Sequence, residues 1–212
     1  MSKKTKIIEF YGLPGCGKTT CCNRRTGINT DAKRIATIKE LSEEIASSNI
    51  AKKALSFPYY LLIPMFRLFV NVPFVGFKNL NLYLFFLKKE AEYFFARKFS
   101  RYDVILIEHG HAQSIISLIY GSPKALNSNT LKVAERLISS SELSEIIYCK
   151  VKPETAIQRI RKRNRTKIGR LDAIKDDSIL LSELIILNEK FELLAQSLQS
   201  LLGSRFRTIF ND

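Results

Sequence analysis

Residues 12–20 read Gly12-Leu13-Pro14-Gly15-Cys16-Gly17-Lys18-Thr19-Thr20, directly after the apolar run Lys6–Tyr11 (KIIEFY). The stretch Gly12–Thr19 fits G-x-x-x-x-G-K-[ST] without a mismatch. Each residue type has a physical reason. Phosphate oxygens need several backbone N–H groups converging on one point, so the chain must curl tightly. Glycine permits the curl and leaves room for the anion. A helix that starts at the end of the loop aims its positive end at the same point. Lys18 is then placed to reach the β- and γ-phosphates, and Thr19 to put its hydroxyl on Mg²⁺. Gly12, Pro14, Gly15, Cys16, Gly17, Lys18, Thr19 and Thr20 are therefore the candidate nucleotide-binding residues. The context agrees: a strand precedes, and a helix runs from Thr19 to about Thr26, where Gly27 and Asn29 end it.

Beyond the loop, strand-like and helix-like runs alternate. Arg34–Ile38 reads as a second strand, and Ile38–Leu55 carries helical spacing at Ile38, Leu41, Ile45 and Ile50. Asn79–Ser100 reads as a long helix. Tyr102–Gly110 (YDVILIEHG) is an apolar, β-branched run that ends at a carboxylate, as a buried strand does. His111–Tyr120 and Leu131–Ser139 read as helices, with the loop GSPKALNSN between them. Glu145–Val151 (EIIYCKV) is another buried strand, and Pro153 with Glu154 opens the next helix. Ser178–Leu202 is a long amphipathic helix and Arg205–Phe210 a closing strand. The alternation predicts one α/β domain over residues 1–212, a parallel sheet with helices on both faces.

The chain has 212 residues and 34 Lys+Arg against 20 Asp+Glu, a net charge of +14. Such an excess implies an anionic partner: nucleotide phosphates, nucleic acid or an anionic membrane surface. The four cysteines, Cys16, Cys21, Cys22 and Cys149, follow no zinc spacing and read as unpaired thiols. With no secretory apolar core after Met1, the expected location is cytoplasmic. The apolar run Ala54–Phe77 is interrupted by Arg67, Pro58, Pro64 and Pro73, which argues against a spanning helix. It leaves peripheral membrane contact open. This region and the long last helix also leave a homodimer open.

A phosphate loop needs a second acidic group, either for the metal's water shell or to activate the attacking oxygen. Glu108 is the candidate for both roles, because it ends a strand whose C-terminus faces the ligand crevice. Asp103 begins that strand and lies at the wrong end. His109, His111 and Gln113 follow Glu108 and are weaker candidates for contacting phosphate or acceptor. Arg159–Arg170 (RIRKRNRTKIGR) holds seven basic residues in twelve and no acid. Arginines arriving over a nucleotide offset the charge that spreads on a transferred phosphoryl group. Gly169 would let such a segment hinge. A solvated basic face and a nucleic-acid contact are the alternatives.

Taken together, GLPGCGKTT, the strand ending at Glu108, IIYCKVKPETAIQRIRKRNR and GRLD before a long helix resemble the P-loop nucleoside and nucleotide kinases. Val151–Arg165 is similar to the pattern of thymidylate kinases and deoxynucleoside kinases. There a strand ends in V-x-P-E-x-A and its helix leads into an arginine-rich lid. The resemblance covers the first 25 residues and roughly residues 102–200. It implies a five-stranded parallel sheet in the order 2-3-1-4-5, ATP with Mg²⁺ as donor, and a small-molecule phosphate acceptor. It also implies a closing lid at 160–172, with Arg161, Arg163, Arg165 and Arg170 as catalytic candidates beside Lys18 and Glu108. Residues 50–100 take the place of the acceptor-binding helices. They match neither group in detail, and Glu108-His109-Gly110 stands where those kinases carry D-R-[YFH] or E-R-S.

Residues 57–102 hold ten of the fourteen Phe and five of the eight Tyr. Most of those rings are expected to pack a core, and some to line an acceptor pocket. Arg67, Lys88, Lys89, Arg97 and Arg101 are candidate anion contacts there. The implied activity is transfer of the γ-phosphate of ATP to a nucleotide, a nucleoside or a similar small molecule. The alternative of another class is a nucleic-acid-binding P-loop ATPase or polynucleotide kinase, which the net charge favours. A GTP switch would need an N-K-x-D run, and the chain has none.

Overall fold

The computed structural model describes residues 5–24, 34–47, 89–90, 92–97, 99–120, 131–132, 135–136, 138–139, 143–163 and 171–211. The phenylalanine-rich run 57–88 with Arg67 and Lys88, the loop 121–130, and Arg165, Gly169 and Arg170 lie outside the described residues.

Among the described residues, five strands form one sheet: β1 (Lys6–Tyr11), β2 (Ile35–Thr37), β3 (Val104–Ile107), β4 (Glu145–Lys150) and β5 (Phe206–Phe210). Their order is β2-β3-β1-β4-β5, and every pairing is parallel. This is the order that the kinase resemblance implies. Helices α1 (Lys18–Arg24), α2 (Ile38–Ser47), α3 (His111–Tyr120), α4 (Pro153–Arg161) and α5 (Asp177–Leu202) connect or flank the strands. Residues 92–97 are helical as well.

The central strands are buried on both faces, so they read as unbroken apolar runs rather than alternating ones. All four residues of β3 and the middle four of β4 are buried. The second strand is shorter than expected. Thr37 explains its end: its backbone N–H and hydroxyl both donate to Glu40, at 2.7 and 3.0 Å. That one-sided cap, in which Thr37 donates twice to the acid three residues on, starts α2 at Ile38 and stops the strand.

Helix α5 buries Leu180, Leu184, Leu187, Phe191, Leu194, Leu198 and Leu202, a stripe at helical spacing. Its N-terminus is capped by Asp176, which accepts from the amides of Ser178 and Ile179. Phe191 completes an aromatic stack in the core. Tyr11 and Tyr148 lie 5.1 Å apart between ring centroids, and Phe191 lies 5.9 Å from Tyr11 and 6.4 Å from Tyr148. Phe191 is fully buried. Phe191→Ala should therefore cost about 3–5 kcal/mol of stability. Urea unfolding would read this as a lower midpoint, and an unchanged midpoint would show that the stack does not hold α5 to the sheet.

The parallel order puts every strand's C-terminus on one side. Tyr11 leads into the loop 12–17 there, and Ile107 leads into Glu108 beside it. At the same edge Lys150 leads towards α4, and Phe210 leads into Asn211. The crevice at this edge is where an open α/β sheet receives its ligand.

Candidate functional site

The loop between β1 and α1 turns on glycines. Gly12 and Gly17 have φ values of 151° and 84°. A Cβ at Gly12 would meet the Cys149 carbonyl oxygen at 2.4 Å, and one at Gly17 the Asn211 amide nitrogen at 2.4 Å. Backbone conformation therefore favours glycine at both positions, and at Gly12 the approach of a backbone carbonyl demands it as well. Helix α1 begins at Lys18, so its free first-turn N–H groups and its positive end face the loop's hollow.

Lys18 is largely buried beneath the loop. Its Nζ donates to the carbonyl oxygens of Gly12 at 2.8 Å and Leu13 at 3.0 Å, and lies 3.6 Å from Cys16 Sγ. Contact with the Cys149 thiol, together with the nearby Lys18 ammonium, holds the Cys16 thiol below its ordinary value against the penalty of burial. The same contact pushes the Cys149 thiol up. All four cysteines are unpaired and buried.

The Thr19 hydroxyl donates to Glu108 Oε2 at 2.5 Å, across 89 positions of sequence. Two oxygen donors, one of them a carboxylate, thus meet at the mouth of the phosphate loop. Hard oxygen ligands of this kind suit Mg²⁺, which is bound through one or two protein oxygens plus phosphate and water. The residues present fit that ion.

A cleft of about 660 Å³ opens over the loop and Thr19. Pro14, Gly15, Gly17, Lys18, Thr19 and Thr20 form its floor. His109, Gln113, Arg159 and Arg163 form its walls. Gln113 also ties the wall to the loop, since its Oε1 accepts from the Gly12 amide at 3.2 Å.

The basic segment divides. Arg159 and Arg163 are four residues apart, so they share one side of the chain's helical path and face the cleft. Arg161, two residues from each, turns away. Its guanidinium binds Asp177 at 2.6 and 2.8 Å and the Lys175 carbonyl at 2.9 Å.

The other candidates are distributed as follows. His111 is buried, with Nε2 2.5 Å from Glu90 Oε1 and its ring edge-on to Tyr93. Lys89 forms a buried pair with Glu92 at 2.7 Å. Arg97 donates to Ser144 at 3.2 Å, and Arg101 lies over the Tyr102 ring. Asp103 accepts from the Arg34 amide at the far end of the sheet.

A phosphate loop at the tip of the central strand of a parallel 2-3-1-4-5 sheet decides the architecture. The fold is P-loop kinase-like. No protein-family model matches the sequence, and no curated protein matches it. Among solved structures, one of a deoxyadenosine kinase from M. mycoides, with the products dCMP and a flexible dCDP bound, is similar to this chain. The match has 16% identity and a TM-score of 0.48, over 96% of this chain and 89% of that one.

Three residues at or behind the cleft escape a reading of sequence patterns. Arg159 belongs to the basic stretch, but only its four-residue spacing from Arg163 distinguishes it from Arg161. Asn211, at the end of β5, donates to the Cys16 carbonyl at 2.6 Å, and its own carbonyl accepts from Arg159 at 2.6 Å. Nothing in the local sequence marks it. Glu9 is a carboxylate inside the apolar strand β1, and that contrast is its signal. Its Oε1 accepts from the Gln113 amide at 3.1 Å.

Proposed function

We propose that this chain is a small-molecule kinase that transfers the γ-phosphate of ATP to a nucleotide, a nucleoside or a similar acceptor. The observation that carries the reading is the meeting of Thr19 and Glu108 at 2.5 Å beside Lys18, under a cleft walled by Arg159 and Arg163. The loop amides and the α1 N-terminus bind the phosphates. Lys18 offers a positive charge to the β- and γ-oxygens. Thr19 and Glu108 hold the metal side of the site. Mg²⁺, when bound, neutralises charge on the β- and γ-phosphates. Arg163 and Arg159 stabilise the charge that spreads over the γ-phosphoryl group during transfer. By covering the cleft they also keep water from competing with the acceptor.

Supplying γ-labelled ATP with Mg²⁺ and a mixed pool of nucleosides, nucleoside monophosphates, sugars and short oligonucleotides tests the reading. Label on one small molecule is the expected result and names the acceptor class. Label on oligonucleotides, or only free phosphate that rises with added nucleic acid, would replace it with a nucleic-acid-dependent activity.

The arginines separate by side chain. Arg163→Ala should lower turnover by about a hundredfold, as loss of a transition-state donor does. Arg161→Ala should leave turnover within about threefold, since it removes an exposed ion pair away from the cleft. Steady-state rates of the two variants with the identified acceptor check this, and equal losses would contradict the division.

A further inference from the structure

Glu9 is fully buried in β1, three residues before the phosphate loop begins. A lone buried carboxylate is costly, and an apolar residue would pack the same space without that penalty. Its surroundings show what it joins. The first-turn amides of His111, Ala112 and Gln113 face its carboxylate, with Gln113 N at 3.1 Å from Oε1. Burial pushes its carboxyl up, against the pull of His111 and those three amides.

Helix α3 begins straight after the Glu108-His109-Gly110 turn. The turn is clamped to the helix from the other side as well. Gly110 O accepts from the Ser114 amide at 3.1 Å and the Ser114 hydroxyl at 2.6 Å. Gly110 itself is pressed against the carboxylate. A Cβ there would lie 2.5 Å from Glu9 Oε2 and 2.6 Å from Tyr93 Oη. Neither of those buried oxygens has a hydrogen-bond partner among the described residues. Glu9 therefore touches both the start of α3 and the turn that carries Glu108. It is itself part of the strand that carries the loop, and Gln113 returns the link by accepting from Gly12.

We propose that Glu9 is a positioning residue that sets the distance between the phosphate loop and the Glu108 turn, and so the Thr19–Glu108 oxygen pair. This rests on the reading of that pair as the magnesium site. The length of the Glu9 side chain is what matters. A residue of equal length with one acceptor oxygen keeps the Gln113 contact. A residue one methylene shorter cannot hold α3 at the same distance from β1.

The test is the affinity for ADP, measured by calorimetry with and without Mg²⁺, in wild type, Glu9→Gln and Glu9→Asp. ADP without metal reports the loop and the fold. The gain in affinity on adding Mg²⁺ reports the Thr19–Glu108 pair, whatever the rate of phosphotransfer. Glu9→Gln should keep the wild-type gain within about threefold. Glu9→Asp should lose about 10–100-fold of it, the usual scale for a partner that orients a metal ligand, with metal-free ADP affinity unchanged. The proposal is overturned if both variants keep the gain. It is equally overturned if Glu9→Asp loses metal-free binding in parallel, or if either variant fails to bind ADP, because Glu9 would then serve only the fold. A wild-type protein that binds ADP without any gain from Mg²⁺ would instead remove the magnesium reading of Thr19 and Glu108.

Discussion

Lys18→Ala should lower turnover by a hundredfold or more while the protein stays folded. A hundredfold corresponds to about 2.7 kcal/mol of lost transition-state stabilisation. The lysine ammonium is held to the loop by the Gly12 and Leu13 carbonyls. On the proposed function it meets the β- and γ-oxygens there, in a largely buried setting that strengthens its charge. Alanine removes that charge, yet the aromatic core of Tyr11, Tyr148 and Phe191 does not involve Lys18. Circular dichroism and the thermal midpoint should stay close to wild type. Unchanged turnover in such a folded variant would remove the phosphate-loop assignment.

Glu108→Gln should be comparably severe. The amide has nearly the carboxylate's shape and can still accept from the Thr19 hydroxyl, but it carries no negative charge. If Glu108 serves the metal, the variant loses both turnover and the gain in nucleotide affinity that Mg²⁺ brings. Turnover should then fall by at least about a hundredfold, with metal-free ADP affinity unchanged. If Glu108 acts on the acceptor as a base, turnover falls by a similar factor but the Mg²⁺ gain survives. The 2.5 Å contact with Thr19 favours the first outcome. Normal turnover would place both roles elsewhere.

The loop, the strand before it and the helix after it were legible because all their parts are contiguous: glycines, Lys18 and Thr19 act within one turn of chain. Buried parallel strands were equally legible, since strands covered on both faces must be apolar throughout, as Val104–Ile107 and Ile146–Cys149 are. The capping pair Thr37 and Glu40 also lies in plain sequence, yet its effect of shortening β2 shows only when the bond is seen. The strand order followed from family likeness rather than from any residue pattern.

What the sequence by itself determined is thus a glycine loop of the phosphate-loop pattern on a parallel α/β sheet, with an acid and a basic stretch as candidates around it. The tertiary structure alone decided which of them meet. Glu108 reaches Thr19 because β3 lies beside β1 in parallel register. Arg159 faces the cleft and Arg161 faces Asp177 because α4 presents opposite sides to the loop and to α5. Glu9 reads as a misfit in an apolar strand until α3 brings three amides to it. Asn211 comes to the loop across 195 positions. These contacts depend on strand order and register, which distant parts of the chain set together and no local pattern contains.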